Sequence, residues 1–116
     1  MATPADVRRI ALALQGVEED PDDFAFGVYN KEKFRKFAWV WKERVNPKKP
    51  RVPQPKVIVL RTANIDDREF LIATDPKKFF TEPHYEGFPA VLVRLAEVTA
   101  KELKPLIKEA WQTSQP

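Results

Sequence analysis

The chain has 116 residues, of which 43% are hydrophobic and 32% charged. That is enough for one real core and too apolar for a disordered chain. It has no cysteine, which excludes disulfides, thiol catalysis and thiolate-bound zinc.

No apolar run approaches the roughly 20 residues that a membrane span needs. No basic stretch followed by an apolar run opens the chain, so no secretory leader is expected and the cytoplasm is the default compartment. The net charge of +3 hides an asymmetry. Residues 1–30 carry two basic and six acidic side chains, net −4. Residues 31–56 carry ten basic and two acidic, net +8; residues 57–116 carry eight basic and nine acidic, net −1. Any electrostatic function is expected to start in the middle segment.

Thr3-Pro4-Ala5-Asp6 opens a helix: a cap, a proline suited to the first turn and an acid at the positive end of the dipole. Val7, Ile10, Ala11 and Leu14 form its buried stripe, and Gly16 stops it. Glu18 to Asp23 reads as an acidic loop. Phe24, Phe26 and Val28 alternate as a strand, and Asn30-Lys31-Glu32 turns into a longer strand from Lys33 to Arg44. Strict alternation there puts Phe37, Trp39 and Trp41 on one face and Phe34, Lys36, Ala38 and Val40 on the other.

Asn46 to Pro55 holds four prolines and is expected as an extended, exposed loop. Val57 to Leu60 is an apolar strand covered on both faces. Asn64 and Asp67 start a second helix anchored by Ile65, Leu71 and Ile72, and Asp75-Pro76 ends it. A long connection follows, then a strand from Ala90 to Leu95. Thr99 to Glu102 is a capping box for a third helix with the stripe Leu103, Leu106, Ile107, Ala110 and Trp111. Pro105 should bend that helix or delay its start. The expected fold is α+β: one small domain, a curved and mostly antiparallel sheet with helices packed on it, in the order α-β-β-β-α-β-α.

The basic segment suggests an arm for phosphates, through Lys31, Lys33, Arg35, Lys36, Lys42, Lys48, Lys49, Arg51 and Lys56, with Trp39 or Trp41 available to stack. The competing reading is a solvated edge strand whose lysines block edge pairing. The Pro-rich loop could offer short polyproline pieces to an aromatic groove, or be only a stiffened surface loop. His84, the only histidine, could act as a general base or ligand, but no second histidine or cysteine completes a metal site and no nucleophile elbow is present. The plainer reading is an imidazole hydrogen-bonded to backbone. The acidic loop lacks the ligand order of an EF-hand. Three scattered glycines make no nucleotide fingerprint. No catalytic constellation, cofactor or metal is expected.

The stretch Asp75 to Leu95, DPKKFFTEPHYEGFPAVLVRL, resembles the MmcQ/YjbR family, whose members read close to DPxKFFxTPHYDGYPAVLVRL. ALALQGVEE (residues 11–19) is similar to the family's ALxLPGVEE. FAWVWKERVNPKKPRVPQPKVIVLRT (residues 37–62) is similar to its variant with a Pro-rich loop. The resemblance implies a compact fold with a double-wing arrangement and DNA binding by analogy of fold. It carries over no catalytic residue. Its motif falls on His84, Tyr85, Gly87 and Pro89. Glu86 replaces the usual aspartate, Phe88 the frequent tyrosine and Gln15 the usual proline. Within this motif Gly87 is expected to permit positive φ, and His84 and Tyr85 to hydrogen-bond the crossing backbone. The first functional expectation is a non-catalytic, monomeric DNA-binding protein. The alternative is a small-molecule or protein-binding module with a pocket between sheet and helices, lined by Trp39, Trp41 or Tyr85. A third, hydrolase or transferase, reading would use His84 as base.

Overall fold

A computed structural model describes residues 1–115. Helix α1 (Pro4–Leu12) starts on a reciprocal capping box between Thr3 and Asp6, and buries Val7, Ile10 and Ala11. Gly16 follows at φ 75, the left-handed conformation that glycine adopts without strain. Six strands and one linking helix come next. These are β1 (Glu18–Glu19), β2 (Ala25–Asn30), β3 (Lys33–Glu43), β4 (Val52–Arg61), α2 (Ile65–Thr74), β5 (Phe79–Phe80) and β6 (Ala90–Arg94). Helix α3 (Ala100–Thr113) closes the fold on the expected Thr99–Glu102 box. Pro105 sits inside α3 and does not delay its start.

The six strands form one antiparallel sheet in the order β1-β2-β3-β4-β6-β5. The α+β fold and its order of main elements are those expected from the sequence. Two short strands are additions. Glu18 and Glu19, expected in a loop, pair with Gly27 and Phe26. Phe79 and Phe80 pair with Val93 and Leu92.

The main core lies between the sheet and the helices. Phe26, Phe37, Ile58, Leu60, Val91 and Val93 meet Val7, Leu103 and Ile107 there. A smaller cluster of Val59, Ala90 and Leu92 lies apart from it, packed by Trp39, Trp41, Val57, Phe80 and Tyr85. Phe37 therefore belongs to the main core, while Trp39 and Trp41 belong to the second cluster. This corrects the expected face sharing. The cause is a bulge: Phe26 pairs with Ala38 and Gly27 with Lys36, so Phe37 is an extra residue that reverses the alternation after it.

The Pro-rich segment is also revised. Val52, Pro53 and Gln54 pair with Glu43, Lys42 and Trp41, so the strand starts earlier than expected. β6 covers only Val57 to Arg61, which leaves this half of β4 at the sheet's edge. An edge tolerates proline because one side of the strand has no ladder to complete. In α2, Ile65 is exposed rather than an anchor, and Phe70 is 64% exposed. The buried residue of that helix is Arg68, 3% exposed.

Candidate anion-binding groove

The β2–β3 hairpin turns through Lys31 and Glu32, since Asn30 pairs directly with Lys33. Lys31 takes φ 60, a conformation that costs a side chain of this kind about 1–2 kcal/mol. The hairpin, the middle of β3 and the connection before β6 enclose a groove of ≈ 1290 Å³. Six of the expected basic residues line it: Lys31, Lys33, Arg35, Lys36, Lys42 and Arg51. Arg61 joins them from β4, where it follows Val57 and Val59 at strand alternation. Trp39, His84 and Tyr85 supply the aromatic part of the wall.

No residue of α1, α2 or α3 lines this groove, so it does not lie between sheet and helices as expected. The cavity that does lie there is smaller, ≈ 400 Å³, and is bounded by Phe70, Leu71 and Leu106 rather than by the expected aromatics. Trp41 is absent from the groove. It packs edge-on against Phe80, ring centroids 5.5 Å apart, and belongs to the second cluster. Lys48, Lys49 and Lys56 are exposed outside the groove, the first two on the loop after β3.

Tertiary contacts reduce the charge of the basic segment. Asp20 lies 3.6 Å from Lys36, Asp23 pairs with Lys42, and Glu82 lies 3.5 Å from Arg51. The acidic loop thus neutralises part of the arm that follows it. Burial raises the Asp23 carboxyl, but the Lys42 ammonium and its hydrogen bond more than offset that and leave it below its usual range. Arg51 also donates to the Lys42 carbonyl at 3.0 Å, and Arg44 reaches the carbonyls of Pro47 and Lys49, so both arginines shape the loop. Among the described residues, Lys31, Lys33, Arg35 and Arg61 have no carboxylate partner within ion-pair distance. Burial first, then the positive charge of Arg35, pulls the Arg61 guanidinium below its usual value.

The motif loop is held by a residue that sequence reasoning missed. Arg68 donates to the carbonyls of Tyr85 (2.6 Å), Phe88 (3.1 Å) and Glu86 (3.3 Å) while paired with Glu69 at 2.7 Å. The signal was an arginine three residues after Ile65, on the expected apolar stripe. The Trp39 indole N–H donates to the Tyr85 hydroxyl at 3.0 Å. That bond fixes the aromatic wall of the groove. His84 is exposed, stacks edge-on with Tyr85 at 4.9 Å, and its ring makes no hydrogen bond to the backbone among the described residues. The expected structural imidazole is therefore not found. Gly87 does not adopt positive φ: the loop turns through right-handed 3-10 bonds, from the Glu86 N–H to the Pro83 carbonyl and from the Phe88 N–H to the Tyr85 carbonyl.

An antiparallel α+β domain with a cationic groove beside its basic hairpin is the class that fold and site define. The chain belongs to the YjbR family, whose model matches residues 12–113. It is similar to uncharacterized proteins of Mycobacterium bovis and Mycobacterium tuberculosis, each 35% identical over 117 residues, covering 100% of this chain and 91% of the relative. No solved structure matches it.

Proposed function

We propose that this is a non-catalytic DNA-binding protein of low sequence specificity that grips the duplex backbone with two basic tips. The observation that carries the reading is the placement of unpartnered lysines. Lys31 and Lys33 stand at one end of β3, and Lys48 and Lys49 stand beyond the other. An 11-residue strand at about 3.3 Å per residue can set the tips up to roughly 33 Å apart before its bulges shorten it, on the scale of one turn of B-form DNA at about 34 Å. Lysine at the strained Lys31 position fits this role, since glycine or asparagine would sit there with less strain. Lys56 adds a further exposed cation on β4. The protein acts as a monomer in the cytoplasm on this reading, in keeping with a chain free of cysteine. Among the described residues, no helix is long and apolar enough to cross a membrane.

Binding to a labelled random duplex, followed by fluorescence anisotropy over a salt series, tests this. Five contacting lysines give a log–log slope of roughly −4.5. Lys48→Ala with Lys49→Ala should make the slope shallower by about 1.8. Arg51 is left intact because it braces the loop. No binding at low salt would overturn the proposal.

A further inference from the structure

We propose that Arg35 and Arg61 form a seat for a phosphomonoester, and that the groove beside them takes the flat ring to which that phosphate is attached. The argument does not rest on the exposed tips and is independent of DNA binding. Three arginines line the cavity; Arg51 has Glu82 beside it, whereas Arg35 and Arg61 have no carboxylate within ion-pair distance among the described residues. The Arg35 Nε is buried and has no hydrogen-bond partner. A buried guanidinium donor without an acceptor is costly, and an oxyanion is the acceptor that its planar fork fits.

Arg61 is held ready. Its Nε donates to the Lys36 carbonyl at 3.0 Å, and its guanidinium carbon lies 5.0 Å over the Phe88 ring. That leaves its terminal N–H groups free to bind. Lys36 and Lys42 on the same wall are already paired with Asp20 and Asp23, so the free charge in the groove is that of Arg35 and Arg61, with Lys31 and Lys33 adding to it from the hairpin end. A dianion suits this gathering of unpaired cations, which favours a monoester over the single charge of a diester.

The rest of the groove sets the second half of the ligand. A volume of ≈ 1290 Å³ far exceeds one phosphate. Its aromatic wall is Trp39 and Tyr85, locked by the indole-to-hydroxyl bond. The Tyr85 hydroxyl accepts there and keeps its own proton available to donate. A nucleoside 5′-monophosphate combines the required charge with a flat ring. The same group occurs at the 5′-phosphorylated end of a DNA strand.

Titration of the full chain with adenosine 5′-monophosphate, by calorimetry and by tryptophan fluorescence, tests the seat. Saturable one-to-one binding is expected, with inorganic phosphate weaker and adenosine without effect. Arg35→Gln and Arg61→Lys should each weaken binding about tenfold or more. Arg35→Gln should also melt no lower than the parent without ligand, since it removes repulsion and no hydrogen bond. Lys48→Ala with Lys49→Ala should leave nucleotide binding unchanged, so that failure of the duplex reading and failure of this one are told apart. A 5′-phosphorylated trinucleotide that outcompetes its 5′-hydroxyl form by the same factor in the parent, but not in Arg35→Gln, would assign the seat to strand ends. Equal competition by the two, with the mononucleotide still bound, would assign it to free nucleotides. No saturable binding of any phosphomonoester at millimolar concentration, or equal binding by parent and both arginine variants, would overturn the proposal.

Discussion

Gly27 shows how one side chain decides a strand crossing. A Cβ added there would stand 2.5 Å from the Arg35 carbonyl oxygen and 2.9 Å from its carbon. Those atoms are backbone, beside the bulge that sets Phe37 into the core, and cannot swing away. Gly27→Ala should therefore cost about 1–3 kcal/mol by overpacking, read as a lower urea midpoint. Gly87, although part of the family motif, would have nothing within 4 Å of an added Cβ and has no positive φ. Gly87→Ala should leave stability within about 0.5 kcal/mol of the parent. A larger loss at Gly87 than at Gly27 would contradict this account. The sequence reading marked Gly87 for backbone freedom and singled out nothing at Gly27, whose close neighbour comes from the partner strand.

The α2 helix illustrates an element held by a polar anchor. Its N-terminus is legible: Asn64 accepts from the Asp67 amide at 2.8 Å. Its apolar face is weak, with only Leu71 and Ile72 half-buried against the main core. Arg68 supplies the tie by satisfying three carbonyls of the loop before β6. Arg68→Ala should cost about 3 kcal/mol and speed amide exchange across residues 82–90, because part-buried carbonyls lose a buried charged donor. Arg68→Lys should not rescue it, since a single ammonium cannot span the same acceptors. Exchange unchanged in Arg68→Ala would remove Arg68 from this role. Helices α1 and α3 were legible to the residue at their N-caps, because a capping box and a 3.6-residue stripe are local signals. β1 and β5 were not, since a two-residue strand exists only through its partner.

At the scale of the molecule, the charge asymmetry is resolved by folding the acidic stretch against the basic one. Neighbouring cations and hydrogen bonds hold several carboxyls below their usual range. Asp6 is lowered first by its hydrogen bond from Arg9, and Glu102 first by that from Lys78. Asp23 is lowered by Lys42 despite the opposing effect of burial. A carboxyl with a depressed folded pKa contributes stability above its unfolded value near 4, and loses it as pH falls through the folded value. Urea midpoints should stay level from about pH 7 to 5 and fall below about pH 4. A midpoint that rises on acidification would show that these pairs do not contribute.

The sequence by itself determined the helices, the main strands, the α+β class and the family. Those follow from caps, periods and short motifs, which act between residues close along the chain. Only the tertiary structure decided which charges are free. Lys36, Lys42 and Arg51 read as available cations, yet carboxylates from 16 to 31 residues away in the chain stand beside them. Arg61 carried no signal of its own, but the pairing of β4 with β3 and its bond to the Lys36 carbonyl set it with Arg35 on one groove. The bulge at Phe37 likewise separated Trp39 from the core face, because an unpaired residue shifts the alternation and nothing in the local pattern marks where it falls.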